Sequence, residues 1–393
     1  MSTAQPVILA ARRTPVGKFF GTLSRVPAPQ LGAYAVKALF DDVPGSKEKI
    51  DECVMGNVLQ AGVGQNPARQ AGLLAGLPDT LNAVTVNKVC GSGLQAVMQA
   101  AQSIRCGDNH LVVAGGMENM DLAPHMMHLR NGVKFGEAKM LDHMQADGLT
   151  CPFEKWAMGC AADYTAAKYG VAREDQDRFS VQSHHRATKA TKEGWFKAEI
   201  VALSPEQTLQ KVGLESDESF RGDSTIEALA KLKAVFSKDG TVTAGNASQI
   251  SDGAAALLVA SDEMASKLGR APLARIIDQC TVGVAAKDLF YAPKLGIELL
   301  LTRNGLKATD VDLYEIYEAF AAQILCNIKP LGIPEERLNI GGGGIALGHP
   351  IGASGARVLT TLIHHLHRTG GKRGICSLCL GGGNAVSMLI ERA

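Results

Sequence analysis

The apolar patterning of this chain runs through one order of elements twice, which confines it to an α/β fold built from two similar halves. In the first half, residues 5–11 read as a strand, 28–41 as a helix, 52–58 as a strand and 65–76 as a helix. A partly apolar run, 81–89, leads into a helix on which Leu94, Val97, Met98, Ala101 and Ile104 recur at helical spacing, with Gly107 as a left-handed C-terminal cap. Residues 110–116 are then a short buried strand. In the second half, 273–282, 295–305, 312–317 and 319–331 repeat strand, helix, strand, helix. A short run at 338–340, a glycine run, a helix over 353–367 and a strand over 374–380 complete the parallel.

The halves differ at one place. Residues 379–383 turn directly into 384–390, a hairpin-like pair, whereas the strand ending at Gly116 is far in sequence from its apparent return strand, 254–260. The expected division is therefore 1–118 with 249–271 as the N-terminal half, 119–248 as an inserted loop domain, and 272–393 as the C-terminal half. Residues 117–150 are rich in Met, His and Gly with little periodicity, which suits a loop packed on another subunit or roofing a pocket. Residues 160–194 are charged and helical, and 196–238 are irregular and polar. Such an insertion suits a binding surface beside a core that supplies chemistry.

The 40 Lys and Arg balance 39 Asp and Glu, which gives no support to bulk nucleic-acid binding, although a local basic patch can hold a phosphorylated ligand. Nine cysteines without a dense framework, and a start lacking the pattern of a signal peptide, point to a reducing, cytoplasmic setting. No apolar run reaches membrane-spanning length without interruption, so no membrane partner is expected.

Among those cysteines Cys90 stands apart. It ends a strand-like run and is followed by Gly91-Ser92-Gly93 and a helix, where the helix dipole and free amides favour a thiolate. A small buried apolar residue would look the same locally. His349, in Gly348-His349-Pro350, occupies the corresponding turn of the second half; taken alone it reads equally as a turn histidine. Cys376-Ser377-Leu378-Cys379 has the spacing of a metal or redox pair, but on a strand positions three apart face opposite sides, which leaves Cys376 to the core. Gly341 to Gly344 lacks the Lys-Ser/Thr of a nucleotide loop. His125, His128, His364, His365 and His367 share no ligand spacing with acidic or cysteine partners, so they read as loop and exposed-helix residues rather than metal ligands.

Five segments, in order, resemble the thiolases and within them the bacterial acetyl-CoA acetyltransferases: Asn87 to Gly93, Val113 to Glu118, Asn246 to Gly253, Gly348 to Arg357 and Cys379 to Gly383. The resemblance covers essentially the whole chain. It implies a duplicated, five-layered α-β-α-β-α fold with an inserted loop domain. It implies reversible condensation of two acetyl-CoA to acetoacetyl-CoA plus CoA, with Cys90 carrying the acyl group, His349 as its base and Cys379 moving the second proton. One oxyanion hole is implied at His349 with a water, another at the Cys90 and Gly381 amides. Ser248 resembles the serine on the pantetheine arm and Arg221 the arginine packing on adenine. Leu149, Met158, Phe236, Ala244, Ala319 and Phe320 resemble the tunnel lining. No prosthetic group or metal is implied; coenzyme A thioesters are the substrates, and a homotetramer built from dimers is the implied assembly.

Three positions depart from the family pattern. Tyr317 stands where an asparagine usually holds the oxyanion-hole water, so the hydroxyl displaces, replaces or blocks that water. Gly341 replaces a second asparagine. Ala157 replaces the histidine of a His-Met-Gly segment beside the acyl pocket. Tyr317 and Ala157 together keep two alternatives open: a degradative thiolase for longer or unusual 3-oxoacyl-CoA, and a catalytically impaired CoA-binding or scaffold protein.

Overall fold

The computed structural model describes residues 4–393. The N-terminal half contains β1 (Pro6–Arg13), α1 (Ala28–Asp42), β2 (Glu52–Gly56), α2 (Pro67–Leu74), β3 (Asn82–Val86), α3 (Ser92–Cys106) and β4 (Leu111–Glu118). After β4 the chain runs through a two-stranded ladder, His125–Met126 with Leu141–Asp142, then helices α4 (Met158–Tyr169) and α5 (Arg173–Lys192) and a long irregular stretch. It returns as β5 (Ser251–Ser261). The C-terminal half holds β6 (Ala274–Gly283), α6 (Ala292–Arg303), β7 (Leu313–Ile316), α7 (Ala321–Leu331), α8 (Ser354–Thr369), β8 (Arg373–Leu380) and β9 (Asn384–Arg392).

The strands make one continuous sheet in the order β7-β8-β9-β6-β1-β5-β4-β2-β3, with Gly17–Lys18 added against β5. β1 and β6, the first strand of each half, are neighbours and join the halves through Val7 and Ile8 against Arg275 and Ala274. On each side of that seam the pattern is the same: β2 runs parallel to β4 and β4 antiparallel to β5, as β7 runs parallel to β8 and β8 antiparallel to β9. The duplication read from the apolar pattern is thus a duplication of topology.

The short apolar run at 338–340 forms no strand. Around Leu338 only a single bridge to Tyr314 forms. Asn339, at φ +43°, takes over the pairing with its side chain, accepting from the Ile316 amide and donating to the Ile316 carbonyl. A side-chain amide can mimic the backbone groups of a ladder, so the strand edge is satisfied without a strand.

The layers follow from which faces are apolar. α1 and α2 cover one side of the N-terminal strands, and α6 and α7 cover the far side of the C-terminal strands. α3 and α8 lie between them, packed on each other and on both groups of strands, and carry the central core of Leu94, Val97, Ala101, Val358, Leu362 and Leu366. This gives the expected five layers. Glycines set how close the two central helices come: a Cβ on Gly93 would sit 2.8 Å from the Ala356 amide, and one on Gly355 would collide with the backbone of Leu94. The N-terminal turns of α3 and α8 therefore touch backbone to backbone, bringing the loops that precede them together.

His365 corrects the reading of the α8 histidines as exposed. It is fully buried, on the stripe with Val358 and Leu362, edge-on to Trp195 and beside Phe196. Its ring fills the space where a side chain at position 341 would go, which gives a physical reason for Gly341.

Candidate active site

β3 stops at Val86, and residues 87–91 make a tight turn into α3. Val89 sits at φ +48°, a left-handed conformation that costs a β-branched residue roughly 1–3 kcal/mol. The turn is braced on all sides. Asn87 Oδ1 accepts from the Val89 amide, the Lys88 amide donates to Ser92 Oγ, and Ser92 Oγ donates to the Val89 carbonyl at 2.6 Å. Cys90 emerges half-buried from this turn. Burial pushes its thiol up to about 11, opposed by the Gly381 and Cys90 amides. The resting group is a thiol, so the helix start lowers the cost of a thiolate without making it the ground state.

His349 enters from the other half on a loop fixed to the strand beside it. Its amide donates to the Gln249 carbonyl at 2.9 Å, next to an Ile250–His349 bridge. Gly348 adopts φ +105° where a Cβ would strike Ser251 Oγ. The ring nitrogen Nδ1 lies 2.7 Å from Ser354 Oγ, which donates its only hydrogen to the Pro350 carbonyl. Nδ1 therefore carries the proton, and Nε2 keeps a free lone pair. Burial, and secondarily Arg357, hold this imidazole neutral, lowering it to about 3.

Cys90, His349, Cys379 and Gly381 line one cavity of about 690 Å³. Cys379 is nearly buried on β8, its thiol pushed well up by burial and then by Cys90, while Cys376 packs into the core away from the cavity. All eight residues expected to contact coenzyme A line the same cavity: Ser248, Arg221, Leu149 and Met158, with Phe236, Ala244, Ala319 and Phe320. Phe320 stands edge-on to both Phe236 and Phe290, an aromatic wall. Ala157 faces the cavity too. Tyr317 is not brought to it. It is 1% exposed, its ring lies 4.3 Å from the His349 ring, and its hydroxyl donates to the Gly348 carbonyl at 2.6 Å.

Sequence reasoning missed Lys18, Leu289 and Phe290 on the cavity wall, and above all Glu118, which lies outside the cavity lining. Glu118 is fully buried at the end of β4, where its carboxylate accepts from Asn57 Nδ2 (2.6 Å) and the amides of Val58 (3.0 Å), Leu59 (3.1 Å) and Gly352 (2.9 Å). It ties the loop after β2 to the His349 loop. Burial raises it to about 7 despite those four donors. An acidic residue closing an otherwise apolar buried strand was the available signal. No group of three or more His, Cys, Asp and Glu suited to a metal ion occurs among the described residues, and no helix there is long and apolar enough to cross a membrane.

Comparison with known proteins returns a consistent picture. The family described as Thiolase, N-terminal domain matches residues 6–263, and Thiolase, C-terminal domain matches 270–392. The chain is 48% identical over 387 residues to an acetyl-CoA acetyltransferase of Chromobacterium violaceum, covering 98% of this chain and 99% of that one. It is 46% identical over 388 residues to a probable acetyl-CoA acyltransferase of Staphylococcus aureus, with 98% of each chain covered. The crystal structure of the Bacillus anthracis acetyl-CoA acetyltransferase superposes with a TM-score of 0.97 at 39% identity, over 100% of this chain and 99% of that one.

Proposed function

The chain belongs to the thiolase family, and we propose that it interconverts two acetyl-CoA with acetoacetyl-CoA plus CoA through an acetyl-Cys90 intermediate. The observation that carries this is the convergence of Cys90 from one half, and His349, Cys379 and Gly381 from the other, on a single apolar cavity.

The protonation states suit a cycle whose protons balance. His349 Nε2 takes the Cys90 proton as the sulfur attacks the thioester carbonyl, whose oxygen is met by the Cys90 and Gly381 amides. The C–S bond to CoA breaks, and Cys379, a thiol at rest, gives its proton to the departing CoA sulfur. A second acetyl-CoA then loses an α proton to the Cys379 thiolate. A base held well above its ordinary value is the right one for so weak an acid. The enolate oxygen is stabilised by the imidazolium, the new C–C bond forms, the C–S bond to Cys90 breaks, and Cys90 recovers its proton from His349. In this reading Ser248, Arg221 and the apolar lining hold the pantetheine and adenine ends, and 119–248 is a loop domain supplying most of that surface.

No prosthetic group is needed; coenzyme A thioesters enter as substrates. A cytoplasmic location is supported by nine free cysteines. A homotetramer is supported by the exposed apolar residues Leu129, Val133, Phe135 and Met140 after β4. Ala157 favours a second reading, cleavage of longer 3-oxoacyl-CoA, because a small residue there leaves room on the cavity wall.

Purified protein mixed with acetoacetyl-CoA and CoA should consume the enolate absorbance and yield acetylated Cys90 by mass spectrometry. Absence of both sinks the proposal. Turnover restricted to longer 3-oxoacyl chains selects the second reading.

A further inference from the structure

We propose that Tyr317 is a positioning residue: its ring, rather than its hydroxyl, fixes the plane and aim of the His349 imidazole. The inference rests on His349 being the base of the reaction proposed above. The two ring centroids lie 4.3 Å apart with 34° between their planes, a close tilted contact that leaves the imidazole little room to swing toward Tyr317. The hydroxyl is committed to the Gly348 carbonyl, one residue before the base, and so cannot point at a substrate in the cavity.

Behind Tyr317 lies Arg357, 2% exposed, with its guanidinium carbon 5.4 Å from the Tyr317 ring centroid and both terminal nitrogens lacking a hydrogen-bond partner. A buried cation next to an aromatic face is held by the ring quadrupole. Tyr317 thus packs against both the cation and the base. A side chain too small to fill this space would let water reach Arg357 and His349 and leave Ser354 alone to orient the ring. The groups facing the imidazole are Tyr317, Ser354 and Arg357, with Cys90 and Cys379 across the cavity; Glu318 lies beyond Tyr317.

Four variants of Tyr317 separate the readings. Tyr317→Phe keeps the ring contact and should keep KM, with kcat falling only about threefold for one neutral hydrogen bond. Tyr317→Leu removes the ring contact and should lower kcat on the order of 10²-fold at unchanged KM, the loss expected for a misaimed base. Tyr317→Asn should behave like Tyr317→Leu. Unchanged circular dichroism and melting temperature, with restored turnover in Tyr317→His, would confirm that folding is not the cause.

A second readout is independent of the thiolysis reading: the pH dependence of Cys90 alkylation by iodoacetamide, followed by mass spectrometry. The native protein should show no inflection near pH 6.5, because His349 stays neutral there. Tyr317→Leu, which admits water, should gain one. If native protein lacks thiolysis but the alkylation profiles differ as described, the function fails and the positioning role stands. Equal losses in Tyr317→Phe and Tyr317→Leu, or native-like turnover and alkylation in Tyr317→Asn, would overturn it.

Discussion

Replacing Glu118 by glutamine probes the clasp between the loop after β2 and the loop that carries His349. The carboxylate serves four donors. A glutamine keeps one oxygen and turns an NH2 toward the rest, so about two buried N–H groups lose their acceptor, at roughly 1–3 kcal/mol each. A pH-dependent part has its own sign. Burial raises Glu118 to about 7 in the folded protein, from an ordinary 4.5. A carboxyl whose folded value is raised favours folding most while it is protonated in both states. The native protein therefore loses stability from this group as pH rises from about 4.5 to about 7, and the loss is constant above. Between pH 5 and pH 8 that amounts to about 2–3 kcal/mol, a loss that glutamine, which does not titrate, escapes. Glu118→Gln should thus be destabilised by several kcal/mol at pH 5 and by clearly less at pH 8. Urea midpoints at both pH values and one protein concentration measure this. Thiolysis should also fall tenfold or more, because the Gly352 amide loses its anchor. Equal destabilisation at the two pH values, or native turnover, would refute the clasp.

Because burial holds His349 near 3, kcat/KM should show no acid limb at the ordinary histidine value; a limb centred near pH 6.5 would contradict the buried, neutral base. Gly93→Ala places a Cβ 2.8 Å from the Ala356 amide; it should cost about 1–3 kcal/mol by thermal or urea unfolding and reduce acylation of Cys90, since the start of α3 must shift. His365→Leu removes two buried ring nitrogens without partners and should leave stability unchanged or raise the melting temperature at neutral pH, with a larger advantage below pH 6 where the native imidazole opposes folding.

Cys90 and His349 were legible as candidates because each sits in a backbone context that sequence encodes strongly, a strand end and the matching glycine-proline turn of the second half, whereas the roles of His349 and Cys379 came from the resemblance to the thiolases. The duplication followed from the repeated apolar period, and the five layers from the resemblance to the thiolases. What sequence hid was where polar atoms end up. Tyr317 can be read as a donor at the site, yet its hydroxyl goes to a backbone carbonyl that only the folded turn brings near. Glu118 closes an apolar strand, but only the fold shows that Asn57 and three backbone amides from two distant loops surround it, and His365 looks exposed until Trp195 and Phe196 cover it. These placements depend on contacts between segments far apart in the chain, which no local period carries.

Arg13 bears on how freely the recognition surface of this scaffold can be exchanged. This residue ends β1 and is fully buried, yet its guanidinium is neutralised by Glu199 at 2.5 Å and Asp217 at 2.6 Å, both from the stretch between β4 and β5. A foreign insertion grafted between those strands to accept a new acyl chain would have to bring two carboxylates to the same points. Without them it would strand a buried cation, a penalty of about 3–5 kcal/mol. Portability of the insertion is thus governed by a charge match far from the reacting sulfur, and chimeras should be screened for that pair before their pockets are redesigned.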